Sequence, residues 1–280
     1  MLNWGKLRCT TALWTMTACG FVLSSDHVVA ADFTIPNGST VTSSQTLNAG
    51  ETGTVDATGV LENNGTAVTM NGGATLTVNG TVRKNNAGNI DDTVVVNGTT
   101  AATINVGGAG RLANDDTNTG SSTINVSQST AIIDATVSNG GTMASAGDNV
   151  FGVGAGNIQT QTLNNAGTIS AAGNGTRVFE NGHWAITNSG TIQNNSAGGP
   201  TIHFRRANNI TNTGTIQNTS TGLVFSPTNS VAAIDDTIVN SGTISTAGTT
   251  AIRLFNGNDT LQLRAGSQIT GNVLGGGRNR

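Results

Sequence analysis

Three pairs of adjacent acids carry the catalytic promise of this 280-residue chain: Asp91-Asp92, Asp115-Asp116 and Asp235-Asp236. Two of them sit in Ile-Asp-Asp-Thr, at Ile90–Thr93 and Ile234–Thr237. Glycoside hydrolysis uses two positioned carboxyl groups, one as acid and one as base or nucleophile. Adjacent residues on a strand point to opposite faces, so a doublet alone does not make such a pair. Asp in these places reads instead as a turn residue that binds nearby backbone. Sugar chemistry also favours aromatic platforms and basic groups, yet the chain has no Tyr, and Lys occurs only at Lys6 and Lys84. The other suggestive stretches, Gly182-His183-Trp184 and Arg205-Arg206, are expected in loops. His183 and His203 fall at different points of the local pattern, which argues against a metal shared between them. Gly257-Asn258-Asp259-Thr260-Leu261 is half of a calcium-binding nonapeptide pattern, but such sites need successive turns and one copy is present. No Gly-x-Ser-x-Gly nucleophile elbow occurs. The expectation is a non-enzymatic chain with no catalytic, cofactor or metal residues.

The elements that would position these groups announce themselves by repetition. Ile186-Thr-Asn-Ser-Gly-Thr-Ile-Gln-Asn-Asn195 returns as Ile210-Thr-Asn-Thr-Gly-Thr-Ile-Gln-Asn-Thr219. Leu163–Ile169 and Ile238–Ile244 fit the same frame, so the copies start at residues 163, 186, 210 and 238. A degenerate fifth turn begins at Leu261. Units that recur at this spacing are stacked structural rungs, not duplicated sites. Asn, Gly and β-branched residues disfavour helix, and apolar residues alternate in steps of two, as strands do. The predicted fold is all-β: a parallel β-helix, a solenoid of ~20–28-residue rungs.

Stacking places equivalent residues in columns ~4.8 Å apart. Ile186, Ile210 and Ile238 form an inward aliphatic column with Leu163 at its end. Asn165, Asn188, Asn212 and Asn240 form a second column, whose amides can bond from rung to rung. Gly167, Gly190, Gly214 and Gly242 follow two residues later and are expected to supply a positive φ at the corner. Phe179, Phe204, Phe225 and Phe255 are expected to stack. The N-terminal half alternates similarly at Thr75–Val82, Ala102–Val106 and Thr123–Val126, giving ~11 rungs and a length of ~50 Å.

Composition sets the setting. The net charge is −3, only 10% of residues are charged, and there are 39 glycines. Nothing is basic enough to suggest nucleic acid. Lys6 and Arg8, the apolar stretch Thr10–Leu23 and the small residues Val29-Ala30-Ala31 read as a signal peptide over 1–31, cleaved after Ala31. Met16-Thr17-Ala18-Cys19 offers a lipoprotein reading instead. Both cysteines, Cys9 and Cys19, lie in this leader, so the mature 32–280 solenoid uses no disulfide, carries a net charge of −4 and is expected to lack a transmembrane segment.

The Ile-x-Asn-[Ser/Thr]-Gly-Thr-Ile rungs, with Asn256-Gly-Asn-Asp-Thr-Leu-Gln-Leu-Arg-Ala-Gly-Ser-Gln-Ile-Thr-Gly-Asn-Val273, resemble the passenger region of bacterial autotransporters over most of the mature chain. The resemblance implies a right-handed β-helix exported by a Gram-negative bacterium to the cell surface or outer membrane, with an adhesin-type role and a host-surface protein or glycan as partner. It departs from that family in ending at Arg280 without a translocator barrel, so a separate outer-membrane transporter or a periplasmic fate is part of the expectation. The alternatives are a polysaccharide-acting β-helix enzyme and a two-partner-secretion exoprotein, although no Asn-Pro-Asn signature is present.

Overall fold

A computed structural model of the chain describes residues 32–85, 88–98, 100–126, 135–154, 159–173, 175–227, 234–254 and 256–275. The leader, with Ala31, Cys9 and Cys19, lies outside the described residues. Every regular element among the described residues is a strand, and every strand pairing is parallel.

The chain winds as a β-helix with three stacks of strands. The first stack is a ten-stranded sheet. Its strands are Phe33–Ile35, Thr52–Val55, Thr75–Val78, Ala102–Val106, Ala135–Asn139, Thr160–Asn165, His183–Asn188, Asn209–Asn212, Thr237–Asn240 and Thr260–Leu263. Eight of these ten rungs are sandwiched between neighbours on both sides, two fewer than the sheet contains because its ends are edges. Ten rungs, not ~11, make a stack ~43 Å long. The second stack runs from Thr40–Val41 through Thr191–Asn194 and Thr215–Asn218, and the third from Gln45–Leu47 to Phe225–Pro227. The long strands Thr243–Arg253 and Gln268–Leu274 bridge the second and third stacks and join them into one sheet.

Side-chain alternation explains the burial. Leu163, Ile186, Ile210, Ile238 and Leu261 stand in direct register in the first stack. The second stack aligns Ile169, Ile192, Ile216, Ile244 and Ile269. All but the outermost Leu261 and Ile269 are buried, and each buried aliphatic contributes ~1.5–3 kcal/mol. In the last rung Leu263, Val273 and Leu274 are exposed.

Two sequence expectations shift. Thr75–Val82 is not one strand: Thr75–Val78 belongs to the first stack and Thr81–Lys84 to the second, with a corner at Asn79-Gly80. The aromatic column also differs. Phe179 stacks on Phe151, with ring centroids 4.8 Å apart and planes 13° from parallel. Above it the column continues with Ile202 and then Phe225, so two phenylalanines of the expected stack are separated by an isoleucine. Phe204 sits two residues further along its strand, opposite Pro227; its side chain and Phe255 lie outside the described residues. Trp184 is not in a loop. It lies on the strand His183–Asn188, is 1% exposed, and packs edge-on against both Phe151 and Phe179.

Candidate functional site

The most regular constellation of polar side chains is internal. Asn139, Asn165, Asn188, Asn212 and Asn240 are all buried in one column of the first stack. Each of the first four donates from Nδ2 to Oδ1 of the next, at 2.8, 2.7, 2.7 and 2.7 Å. The same Nδ2 groups reach main-chain carbonyls at the corner: Asn188 donates to Gly190 and, one rung on, to Thr215. An amide has two donors and two acceptor lone pairs, and every Nδ2 and Oδ1 of these side chains is already bonded within the fold. The ladder is structural and holds no group free for chemistry.

The asparagines coincide with short corners. After Asn165, Asn188, Asn212 and Asn240 only two residues separate the first stack from the second. These corners form no turn bond of their own: the Thr168 N–H, three residues after Asn165, goes to the Gly141 carbonyl of the previous rung at 2.8 Å. Their N–H groups go instead to the previous rung: Ala166 and Gly167 both donate to the Asn139 carbonyl, at 2.8 and 2.9 Å. The asparagine amide then covers the carbonyls left over. Where the corner has four residues, it closes itself. Gly59 N–H donates to Asp56, Gly110 to Gly107 and Ser267 to Arg264. In those rungs the column residue is Val55, Val106 or Leu263, and no amide is required.

The corner glycines have a different role from the one expected. Positive φ occurs at Gly38 and Gly266, inside four-residue corners, while Gly167, Gly190, Gly214 and Gly242 are not among the positive-φ residues. What those four positions require is space. A Cβ on Gly190 would lie 2.1 Å from the Gly167 carbonyl oxygen, and one on Gly242 2.1 Å from that of Gly214. The same carbonyls accept the rung-to-rung bonds of the next strand, as when Thr191 N–H donates to Gly167 at 2.9 Å. Glycine is present because backbone meets backbone.

The acidic doublets tie rungs together. The Asp235 carboxylate accepts from the Asn258 N–H at 2.7 Å, and Asp236 accepts from the Asn208 N–H at 2.9 Å, so the pair reaches both neighbouring rungs. Asp259, in the half-nonapeptide, accepts from the Asp236 N–H at 2.9 Å. Burial pushes the Asp236 carboxyl up to about 7, with the nearby charges of Asp259 and Asp235 adding to it and the Asn208 hydrogen bonds opposing it. Asp116 is fully buried against Lys84, Nζ to Oδ2 at 2.5 Å, and Lys84 also donates to the Asn89 carbonyl. Burial alone would raise the Asp116 pKa, but the hydrogen bonds from Lys84 and Asn118 hold it below the ordinary range.

Sequence reasoning did not find a second place, among the described residues, where acids from different rungs converge. A hollow of about 340 Å³ on the third stack is lined by Asp92, Asp148 and Glu180 with Ser122, Asn125 and Asn149. Burial raises the pKa of Asp92, and the charges of Asp148 and Asp91 add to it against hydrogen bonds from Ser122 and Asn125. Burial likewise raises Asp148. Each acid is engaged: Asp92 by Ser122 N–H and Asn125, Asp148 by Gly120 N–H, and Glu180 by Asn149 and Arg177. His203 lies in register beside Glu180, and burial with Arg177 and Arg205 nearby pushes it down to about 4. His183 lies on the first stack against Thr160, apart from it. Among the described residues no group of three His, Cys, Asp or Glu side chains is arranged to hold a metal ion.

A second hollow, of about 350 Å³, runs along the outside of the corner between the first two stacks, from Thr77 to Thr187. Its lining is uncharged. No family model, curated protein or solved structure matches the chain.

Proposed function

We propose that this chain is the exported, non-enzymatic passenger of an autotransporter-like protein, a rigid surface stalk of adhesin type whose outward polar columns make the contacts. The observation that carries the reading is the stack of parallel rungs, continuous through ten strands and internally cross-linked by the asparagine ladder. A solenoid of this kind is a spacer with an extended lateral surface. The signal-like segment 1–31 and the late Asn256–Val273 stretch support export and the family reading. A Gram-negative cell surface is the destination this reading assigns, with a host-surface protein or glycan as partner and a separate outer-membrane transporter as the route. The non-enzymatic half rests on the engagement of Asp92, Asp148, Asp235 and Asp236, each of which accepts a hydrogen bond from another rung.

The test is attachment. Beads coated with the purified full chain are expected to bind cultured epithelial cells above uncoated and albumin-coated beads; equal binding contradicts the adhesin role. A polysaccharide-acting enzyme is the second reading, favoured by the hollow around Asp92, Asp148 and Glu180. Release of reducing or unsaturated ends from polygalacturonate, abolished by Asp148→Asn, would establish it.

A further inference from the structure

We infer that the groove along the corner of the first two stacks is a binding site for a neutral, linear polysaccharide lying parallel to the solenoid axis. The inference deepens the adhesin reading by naming the class of ligand. Thr77, Asn105, Ser138, Asn164 and Thr187 stand in direct register on five successive rungs and point outward, because their strand neighbours point into the core. Four rung steps give a track ~19 Å long. Gly107, Gly140 and Ala166 line it as well, and its exposed lining is mostly apolar. The five outward side chains are amides and hydroxyls.

The contrast with the ladder next door is the informative feature. The buried amides of Asn139, Asn165 and Asn188 are consumed by one another and by corner carbonyls. The outward amides of Asn79, Asn105 and Asn164 bond to no protein group among the described residues. Each offers a paired donor and acceptor to a ligand, the pattern that vicinal hydroxyls satisfy. A mostly apolar lining that also carries amides and hydroxyls matches a sugar ring, which has an apolar C–H face and a hydroxyl edge. The rung spacing is close to the length of one extended sugar unit, so a straight glycan can meet equivalent groups at each step. The lack of charge in the lining selects against uronic and sulfated chains, which would enter without a cation to pair with. With no aromatic platform, each sugar adds little and affinity comes from length.

Calorimetric titration of the full chain tests this with cello-, malto- and chito-oligosaccharides of two to six units, and with polygalacturonate and heparin as charged probes. One neutral series should bind, tighten with each added unit up to about five, and be unaffected by 0.5 M salt. Asn105→Ala with Asn164→Ala should weaken it at least tenfold at unchanged thermal midpoint, and Ala166→Trp, which fills the groove while leaving the amides, should do the same. Binding only to the charged polymers, no binding to any neutral series, or binding that both variants leave intact overturns the inference. Cell attachment without any oligosaccharide binding would sink this inference and leave the stalk reading standing; oligosaccharide binding without cell attachment would do the reverse.

Discussion

The two halves of the solenoid solve one problem in two ways. From Asn139 to Asn240 the chain turns from the first stack to the second in two residues, and a buried amide in every rung covers the corner carbonyls. From Ile35 to Val106 most corners have four residues, close their own turns, and carry an aliphatic side chain at the same point of the column. Val78 marks the boundary of the rule: its corner, Asn79-Gly80, is short, and both N–H groups go to the Val55 carbonyl, yet the column residue is valine. The comparison teaches that the ladder occurs only at short corners but that a short corner does not demand it, so its cross-link between rungs is a contribution of its own.

Substitutions can break this contrast. The largest effect is expected in the N-terminal half, where Lys84→Met leaves Asp116 as an unpaired buried charge and costs about 3–5 kcal/mol by chemical denaturation; adding Asp116→Leu should recover most of it. In the ladder half, Gly190→Ala drives a Cβ into a carbonyl that neither strand can move, at about 3 kcal/mol. Asn188→Val removes the ladder partner on both sides and uncovers the Gly190 and Thr215 carbonyls, at about 2 kcal/mol. Asn240→Val, at the end of the ladder next to Leu263, should cost about half as much, because Asn240 donates only to its own Gly242 carbonyl. Equal costs for the two would mean that the number of bonds lost does not set the cost.

The smallest expected effect is a pH dependence. Burial raises Asp236 to about 7, so the folded chain holds a proton that the unfolded chain releases at the ordinary carboxylate pKa. That contribution is fully present below the ordinary carboxylate pKa and is lost progressively as pH rises from there through the folded value of about 7. His203, lowered to about 4, has the opposite sign: the unfolded chain takes up its proton first, and stability is lost as pH falls below the ordinary histidine value. Measuring wild type against Asp236→Asn isolates the acid. Between pH 7.5 and 6 the wild type should gain on the variant by about 1 kcal/mol.

The aliphatic and asparagine columns were legible in the sequence because the repeat is short and the corner length constant over four copies. The rung at Val137-Ser-Asn-Gly-Gly-Thr-Met143 escaped notice because Gly140 and Met143 replace the usual small polar residue and isoleucine, although Asn139 keeps its place. The corner glycines were legible as a column but not in their role, since a glycine required by close approach and one required by positive φ look alike in a sequence. The third stack was the least legible. Its register depends on connections of differing length after the second stack, so Phe151 could not be matched to Phe179, nor Asp92 brought beside Asp148, by counting.

Hydrogen exchange of backbone amides, wild type against Asn188→Val, tests the central claim most directly. The account predicts faster exchange at the two-residue corners from 166 to 242, spreading to rungs on either side of the substitution, with the self-closed corners at 56–59 and 107–110 unchanged. Loss of protection confined to residue 188, or spread equally over both halves, would contradict it.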